Sequence, residues 1–150
     1  MKILIDGDSC CNRKGIAEKV AKYYHIPCKI FLGPACDITS SYSEIHYVSE
    51  GSDMADFAII NDMERGDVVI TNDSGLASMV LAKGGHPVNT RGYEYTESII
   101  NSFLNKRYAR DRYSKATGRK LKTDHYLRPY ITYENFFTLI NRIVRKEIAH

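Results

Sequence analysis

The sequence lacks tryptophan altogether, has only four cysteines and four prolines, and contains no long apolar run. Its longest apolar runs, such as Val68-Val69-Ile70, are far shorter than the roughly 18 residues that a membrane-spanning helix needs. The first residues, Lys2-Ile3-Leu4-Ile5, lack the extended apolar stretch and small-residue cleavage site of a secretory signal. We therefore expect a soluble, cytoplasmic protein with no membrane partner and with reduced cysteines.

The cysteines also fail to form a recognisable metal site. No two of them stand in a CxxC pair, and the five histidines add no set with zinc-ligand spacing. Cys10 follows two aspartates, so a nucleophilic role is one reading of it. A small buried side chain is the reading that we prefer.

The alternation of apolar segments predicts one α/β domain over residues 1–150. With 43% hydrophobic residues, a chain of 150 residues can build a core without disulfides. Short strands alternate with helices of about ten residues, which is typical of a three-layer fold with a mostly parallel sheet and helices on both faces. The predicted strands are Lys2–Ile5, Cys28–Leu32, Ile45–Val48, Val68–Thr71 and an edge strand His86–Asn89. The predicted helices cover about 13–25 (stopped by Pro27), 53–64, 74–83, 96–108 and 133–148.

Charge is distributed unevenly along the chain. Residues 1–103 contain nine Lys and Arg against fourteen Asp and Glu, whereas residues 104–150 contain twelve against four. This pattern predicts an acidic α/β body over 1–103 and a basic, helical C-terminal extension over 104–150 that binds a polyanion. A solvated, Lys- and Arg-rich helical end is the alternative. The stretch 109–129 is too long for a passive connection, so we expect a binding element or a mobile segment there.

Aspartates follow the predicted strands at the points where a parallel sheet binds ligands. They are Asp6 and Asp8 after the first strand, Asp53 and Asp56 at the start of a helix, and Asp73 after the fourth strand. If all five converge, they form an oxygen-rich site that prefers Mg²⁺ or Mn²⁺ over zinc. Four of the five also have a structural alternative: Asp8, Asp53 and Asp73 as helix caps, and Asp56 as an acid favoured in a first helical turn.

Four segments together resemble a known family. They are Asp6-Gly7-Asp8-Ser9-Cys10, Ser52-Asp53-Met54-Ala55-Asp56, the segment from Gly66 to Asp73, and Asn89-Thr90-Arg91-Gly92. In order and separation they resemble the YaiI/YqxD family of bacterial proteins, which is grouped with the PIN-like domains. The resemblance implies a Rossmann-like PIN-like fold, catalytic roles for Asp6, Asp56 and Asp73, and further metal ligands in Asp8 and Asp53.

The sequence departs from the family pattern at two places. Cys11 stands where the family usually has proline, and the glycine-rich basic segment near the end is reduced to Thr117-Gly118-Arg119. The first departure affects the turn beside Asp8, and the second affects the binding role of the basic tail.

The function implied by the resemblance is a Mg²⁺- or Mn²⁺-dependent nuclease acting on nucleic acid, with RNA as the expected substrate. Two carboxylate-held cations could activate water and neutralise the developing charge. The predicted contacts to nucleic acid are Asn72, Asn89, Arg91, Arg119, Lys120 and Lys122. Aromatic residues among these cations are candidates for base stacking, with packing as the alternative for Tyr93 and Tyr126. They are Tyr93, Tyr95, Tyr108, Tyr113, Tyr126 and Tyr130. Oligomeric state stays open, with a homodimer among the options.

Two other functions compete with the nuclease. One is a PIN-like protein that binds nucleic acid without cutting it. The other is a haloacid-dehalogenase-type phosphatase, prompted by Asp6-Gly7-Asp8 after a strand. The phosphatase pattern is disfavoured because position 10 is Cys and no two acidic residues are adjacent. A Rossmann dinucleotide site is poorer still, since no GxGxxG motif follows a strand.

Overall fold

A computed structural model describes residues 1–51, 53–118 and 131–150 of the chain. The strands are β1 (Ile3–Asp6), β2 (Cys28–Leu32), β3 (Glu44–Tyr47), β4 (Val68–Ile70), β5 (His86–Asn89) and β6 (Tyr93–Glu94). The helices are α1 (Gly7–Cys10), α2 (Lys14–Tyr24), α3 (Met54–Asp62), α4 (Ser74–Ala82), α5 (Glu97–Thr117) and α6 (Phe136–Ile148), and a 3-10 turn, Cys11–Arg13, joins α1 to α2.

The six strands form one sheet in the order β3-β2-β1-β4-β5-β6. All neighbours are parallel except β5 and β6, which pair antiparallel. The predicted α/β class is confirmed, but the prediction that His86–Asn89 is the edge strand is wrong. The chain turns back at residues 90–92, where Gly92 has φ +109, and β6 takes the edge. Gly92 is suited to this turn because a side chain rarely tolerates that φ.

Helices cover both faces of the sheet, as predicted. Alternate residues of β1 point to opposite faces: Ile3 and Ile5 lie in a core with α2 and α6, and Leu4 lies in a second core with α3 and α4. A third cluster joins α4 and β6 to α5, with Ala77, Tyr95 and Ile99 at its centre. The arrangement is a three-layer fold.

The predicted C-terminal helix is present as α6. Helix α6 is an integral layer of the first core, since Leu139, Ile140 and Val144 are buried against α2 and the sheet. The predicted C-terminal helix thus packs directly against the predicted α/β body. Helix α5 runs on to Thr117, beyond the predicted end at residue 108, so the stretch 109–129 begins as helix.

Helix ends also show local causes. The predicted stop at Pro27 comes after the actual end of α2, where His25 adopts the left-handed conformation (φ 56) and donates its backbone N–H to Ala21 and Lys22 carbonyls. Among the described residues, no helix is long and apolar enough to cross a membrane.

Candidate functional site

The candidate site lies where the strand order reverses. From β1 the chain moves outward through β2 and β3, and then returns to place β4 on the other side of β1. Asp6 ends β1, and Thr71 directly follows β4. Ligands of open α/β sheets bind outside the carboxyl ends of the strands at such a reversal.

A cleft of about 950 Å³ opens at this point, and its charged lining is acidic. The carboxylates that line it are those of Asp6, Asp8, Glu50, Asp56 and Asp73, and the described lining contains no Lys or Arg. Four of the five predicted aspartates therefore share one cleft. The phosphatase alternative, which needs a lysine at the site, has none among these lining residues.

Asp6 is held by hydroxyl groups. Its Oδ2 accepts hydrogen bonds from Thr71 Oγ1 at 3.2 Å and from Ser9 Oγ at 3.4 Å. Burial raises the pKa of Asp6 above its usual range, and the charges of Asp8 and Asp73 raise it further, while the Thr71 and Ser9 bonds act in the opposite direction. Asp6 is thus a desolvated carboxyl in a fixed position.

Asp56 lies in the first turn of α3 and faces the same cleft. Partial burial, followed by the negative charges of Asp73, Asp6 and Asp53, raises its pKa to about 6. The three predicted catalytic aspartates therefore influence one another electrostatically, although they come from β1, α3 and the segment after β4. Like charges gathered in this way favour either a proton or a cation between them.

Asp8 and Asp73 also have local structural roles. Both Asp8 carboxylate oxygens accept the Gly33 N–H, at 3.0 and 3.2 Å, so Asp8 does not cap a helix. Asp73 Oδ1 accepts from Gly75 N at 2.7 Å and caps α4, which confirms the structural alternative for this residue. The cap uses only Oδ1 of Asp73, so the other carboxylate oxygen remains able to bind a cation.

Asp53 is the predicted ligand that the structure does not bring into the cleft. It occupies the N-cap position of α3, but its side chain makes no capping hydrogen bond. It is exposed, and it acts on the site only through its charge, which contributes to the raised pKa of Asp56.

The donor chemistry of the cleft fits a hard divalent cation. Its carboxylate oxygens are the ligands that Mg²⁺ and Mn²⁺ prefer. However, within residues 1–51, 53–118 and 131–150, no three His, Cys, Asp or Glu side chains are arranged so that they could hold a metal ion. Magnesium commonly binds through one or two carboxylates with waters and substrate phosphate completing its shell. The residues therefore fit such an open site and do not form a closed protein cage.

The structure describes three of the six predicted contacts to nucleic acid, and their surroundings differ. Arg91 is exposed in the turn after β5, at the same edge of the sheet as the cleft. Asn72 lines the cleft, but its Oδ1 accepts from Thr90 N and Oγ1. Asn89 is buried: its amide nitrogen donates to Tyr95 Oη and its Oδ1 accepts from Arg91 N. These bonds give Asn89 a structural role, and we do not include it in a binding surface.

The remaining predicted cations, Arg119, Lys120 and Lys122, lie outside the described residues. Tyr93 and Tyr95 are buried and pack edge to face at 5.2 Å between ring centroids, so both serve packing. Cys10 is fully buried, and burial raises its pKa to about 11. That thiol is protonated near neutral pH and is not an activated nucleophile.

Sequence reasoning missed two charged residues at this edge. Glu50 lies in the loop after β3 and lines the cleft; its place after a parallel strand is the signal that could have found it. Arg13 donates from Nε to the Thr90 carbonyl at 3.0 Å, and its guanidinium lies 5.2 Å from the centre of the Phe136 ring. No local sequence pattern predicts the position of Arg13, because both of its contacts are with residues distant in sequence.

Comparison with known proteins identifies the family. The model of a family described as uncharacterized BCR, YaiI/YqxD family, matches residues 4–146. The chain belongs to the YaiI/YqxD family. Relatives of the family include a UPF0178 protein of Alkaliphilus oremlandii, 43% identical over 72% of this chain and 69% of the relative.

Two further relatives match a larger share of this YaiI/YqxD chain. A UPF0178 protein of Clostridium tetani is 37% identical over 79% of this chain and 81% of the relative. One of Natranaerobius thermophilus is 36% identical over 82% and 83%. No solved structure matches the chain. The family description names no activity, so function has to be argued from the site.

Proposed function

We propose that this YaiI/YqxD protein is a Mg²⁺- or Mn²⁺-dependent nuclease that hydrolyses phosphodiester bonds, with RNA as the first substrate to test. One observation supports the proposal above others. Asp6, Asp56 and Asp73 come from three separate segments to one cleft at the reversal of strand order, where burial first and neighbouring carboxylates second raise the pKa of Asp6 and of Asp56. A site of that charge favours a divalent cation.

Asp6 and Asp73 are the side chains that would hold the cation, and Asp56 lines the cleft beside them. Asp6 offers a carboxylate fixed by Thr71 and Ser9, and Asp73 keeps one oxygen outside its helix cap. A bound divalent cation supplies charge neutralisation at the scissile phosphate and a more acidic water. Without it, the uniformly acidic lining would repel the phosphate of the substrate.

Proton transfer is the second task of the site. With a pKa of about 6, Asp56 is mostly ionised at pH 7 but holds a proton more readily than an ordinary aspartate. A carboxylate poised near the working pH is suited to accept the proton of an attacking water. Asp56 is therefore the residue to which we assign general-base catalysis.

Cations at the rim could position the neighbouring phosphates. Arg91 is exposed in the turn after β5, and the Arg13 guanidinium is fixed to the same turn through the Thr90 carbonyl. Both lie at the carboxyl edge of the sheet, outside the acidic lining. Guanidinium groups in such a place can contact the phosphates of a strand that enters the cleft.

The test uses the full chain with labelled single-stranded RNA and DNA, in Mg²⁺, in Mn²⁺ and in excess EDTA. We expect metal-dependent cleavage that falls at least 100-fold in both Asp6→Asn and Asp73→Asn, in line with the loss of an electrostatic catalytic group. Glu64→Gln is the matched control, because Glu64 is an exposed carboxylate outside the cleft. Cleavage that persists in Asp6→Asn and Asp73→Asn would overturn the proposal.

A second function is favoured by one observation. The described side chains provide no group of three His, Cys, Asp or Glu that could hold a metal ion. A PIN-like protein that binds nucleic acid without cutting it would agree with that. It predicts binding that weakens steeply with salt and substrate that stays intact after prolonged incubation with Mn²⁺.

A further inference from the structure

Helices α2 and α6 lie side by side on the outside of the sheet and run in the same direction. Both begin at the carboxyl edge, where Arg13 bonds the Thr90 carbonyl and Glu134 N donates to the Gly92 carbonyl. At the last residue of α2, Tyr24 Oη donates to Oδ1 of Asn141 in α6 at 2.7 Å. The outer surface of this pair, which we call the α2–α6 face, therefore starts at the same edge of the sheet as the acidic cleft.

The α2–α6 face is basic. Three adjoining grooves on it are lined by six cationic side chains, those of Lys14, Lys19, Lys22, Arg142, Arg145 and Lys146. The acid among the described lining residues is Glu18, which is buried and bonded to Ser40 Oγ at 2.6 Å, with the Lys14 ammonium 3.6 Å away. Its charge is thus used inside the protein. Arg142 is paired with Glu134, so the exposed positive charge of this face is carried by Lys19, Lys22, Arg145 and Lys146.

Two exposed aromatic rings lie within this basic surface. Tyr23 is 76% exposed and Phe137 is 41% exposed, and both line the groove between the helices together with Lys19 and Arg145. Apolar rings surrounded by cations are the combination that binds unpaired bases and their phosphates. Neither ring is needed to complete a core, since both lie outside the three buried clusters.

We propose that the α2–α6 face binds single-stranded nucleic acid, with bases stacked on Tyr23 and Phe137 and phosphates contacted by Lys19, Lys22 and Arg145. The inference deepens the proposed function by naming where its substrate is held, but the binding itself requires no catalysis. A second copy fits less well, because a symmetric contact through this face would bring like charges together. Duplex also fits less well, because its bases are already stacked.

Binding is measured by fluorescence anisotropy of labelled 20-nucleotide RNA and DNA strands, in EDTA so that metal chemistry does not intervene. We expect Arg145→Glu and Lys19→Glu each to raise the Kd about tenfold or more, and to reduce the salt slope by about one for each lost phosphate contact. Tyr23→Ala should raise the Kd about fivefold or more, whereas Tyr23→Phe keeps the stacking ring and should bind like wild type.

The control is Arg65→Glu, which makes the same charge change at an exposed arginine outside the α2–α6 face. Circular dichroism melts of every variant separate lost binding from lost fold. The proposal is overturned if wild type does not bind, if duplex binds more tightly than single strands, or if Arg145→Glu weakens binding no more than Arg65→Glu. It is also overturned if the face variants change the oligomeric mass and leave binding unchanged.

Failure of the nuclease would be seen separately from failure of this face. Asp6→Asn should bind strands like wild type in EDTA even if it cuts nothing. Arg145→Glu, tested at strand concentrations above its raised Kd, should recover cleavage if the cleft is active.

Discussion

The Thr71 hydroxyl donates to Asp6 Oδ2 at 3.2 Å and, through the same oxygen, accepts the backbone N–H of Asp73 at 3.0 Å. The fully buried Thr71 side chain thereby connects the end of β1 to Asp73, the N-cap residue of α4. This bond explains why the segment Thr71-Asn72-Asp73 has a threonine at its first position. The hydroxyl fixes two of the three proposed catalytic aspartates relative to each other.

Thr71→Val tests that bridge. The substitution leaves the Asp73 N–H without its acceptor and removes a donor from Asp6, so we expect the free energy of unfolding to fall by about 1–3 kcal/mol. The pKa of Asp6 should rise further, because the Thr71 bond lowers it in the wild type. Chemical denaturation and carboxyl NMR titration provide the two measurements. Thr71→Ser keeps the hydroxyl, so its free energy of unfolding and its Asp6 pKa should match those of the wild type. If Thr71→Val and Thr71→Ser give the same two values, Thr71 does not bridge the aspartates.

Asp56 provides a test of charge coupling in the cleft. Its pKa of about 6 contains a contribution from Asp73, so Asp73→Asn should lower it, while the Asn Oδ1 can still cap α4. Since the folded pKa lies above the unfolded one, the fold should become less stable as pH rises from about 4 to 6. Asp56→Asn should reduce that loss and leave the part that comes from Asp6, whose pKa is also raised. NMR titration and melting temperatures check both points. If the pKa of Asp56 is the same in Asp73→Asn as in the wild type, the two carboxylates are not coupled.

Much of this site could be predicted from the sequence because its geometry follows from strand direction. Apolar runs located β1 and β4, and parallel strands place their carboxyl ends at one edge. That was sufficient to bring Asp6, Asp8 and Asp73 together. Asp56 followed from its place in the first turn of the next helix. The exposed position of Asp53 depends on how α3 is oriented, which spacing alone does not determine.

The rest required tertiary contacts. Asn89 looks like a polar residue at a strand end, but its amide is turned inward by Tyr95, six residues away. Helix α6 shows apolar periodicity in the sequence, but its packing on α2 and the central strands is a tertiary contact that the periodicity does not specify. Net charge reports only the outer side of a helix, whereas its apolar residues decide what it packs on. The same helix supplies a core layer and half of the basic α2–α6 face.

His86 connects β5 to Glu94 of β6 and Glu147 of α6, and it predicts a second loss of stability with rising pH, at a higher pH than that of Asp56. Its Nδ1 lies 2.7 Å from Glu94 Oε1 and its Nε2 lies 2.8 Å from Glu147 Oε2. The bond to Glu94 raises the pKa of His86; burial lowers it, and Glu147 raises it again, with a net upward shift. The protonated ring therefore stabilises the fold below the unfolded pKa of about 6.5, and this stability is lost as pH rises through the folded pKa.

Melting temperatures at pH 6 and pH 9 measure that effect. Wild type should lose more stability across this interval than His86→Gln, which has no proton to release. His150→Gln is the control, because it removes an exposed histidine from the end of the chain. If His86→Gln and wild type show the same loss, the two carboxylates do not hold a charged imidazole.

Gly92 provides the last test, at the turn that carries Arg91. A Cβ at this position would stand 2.0 Å from the Glu134 carbonyl oxygen, and the residue has φ +109. Gly92→Ala must therefore separate the turn from the segment before α6, where Glu134 N bonds the Gly92 carbonyl at 2.8 Å. We expect a loss of about 2–4 kcal/mol in the free energy of unfolding, from backbone strain and the broken contact.

Gly15→Ala is the matched control, since its Cβ would meet nothing within 4 Å inside α2, and it should stabilise the protein by about 1 kcal/mol. Urea denaturation of both variants measures the difference; a Gly92→Ala protein as stable as wild type would show that the turn does not rest on Glu134.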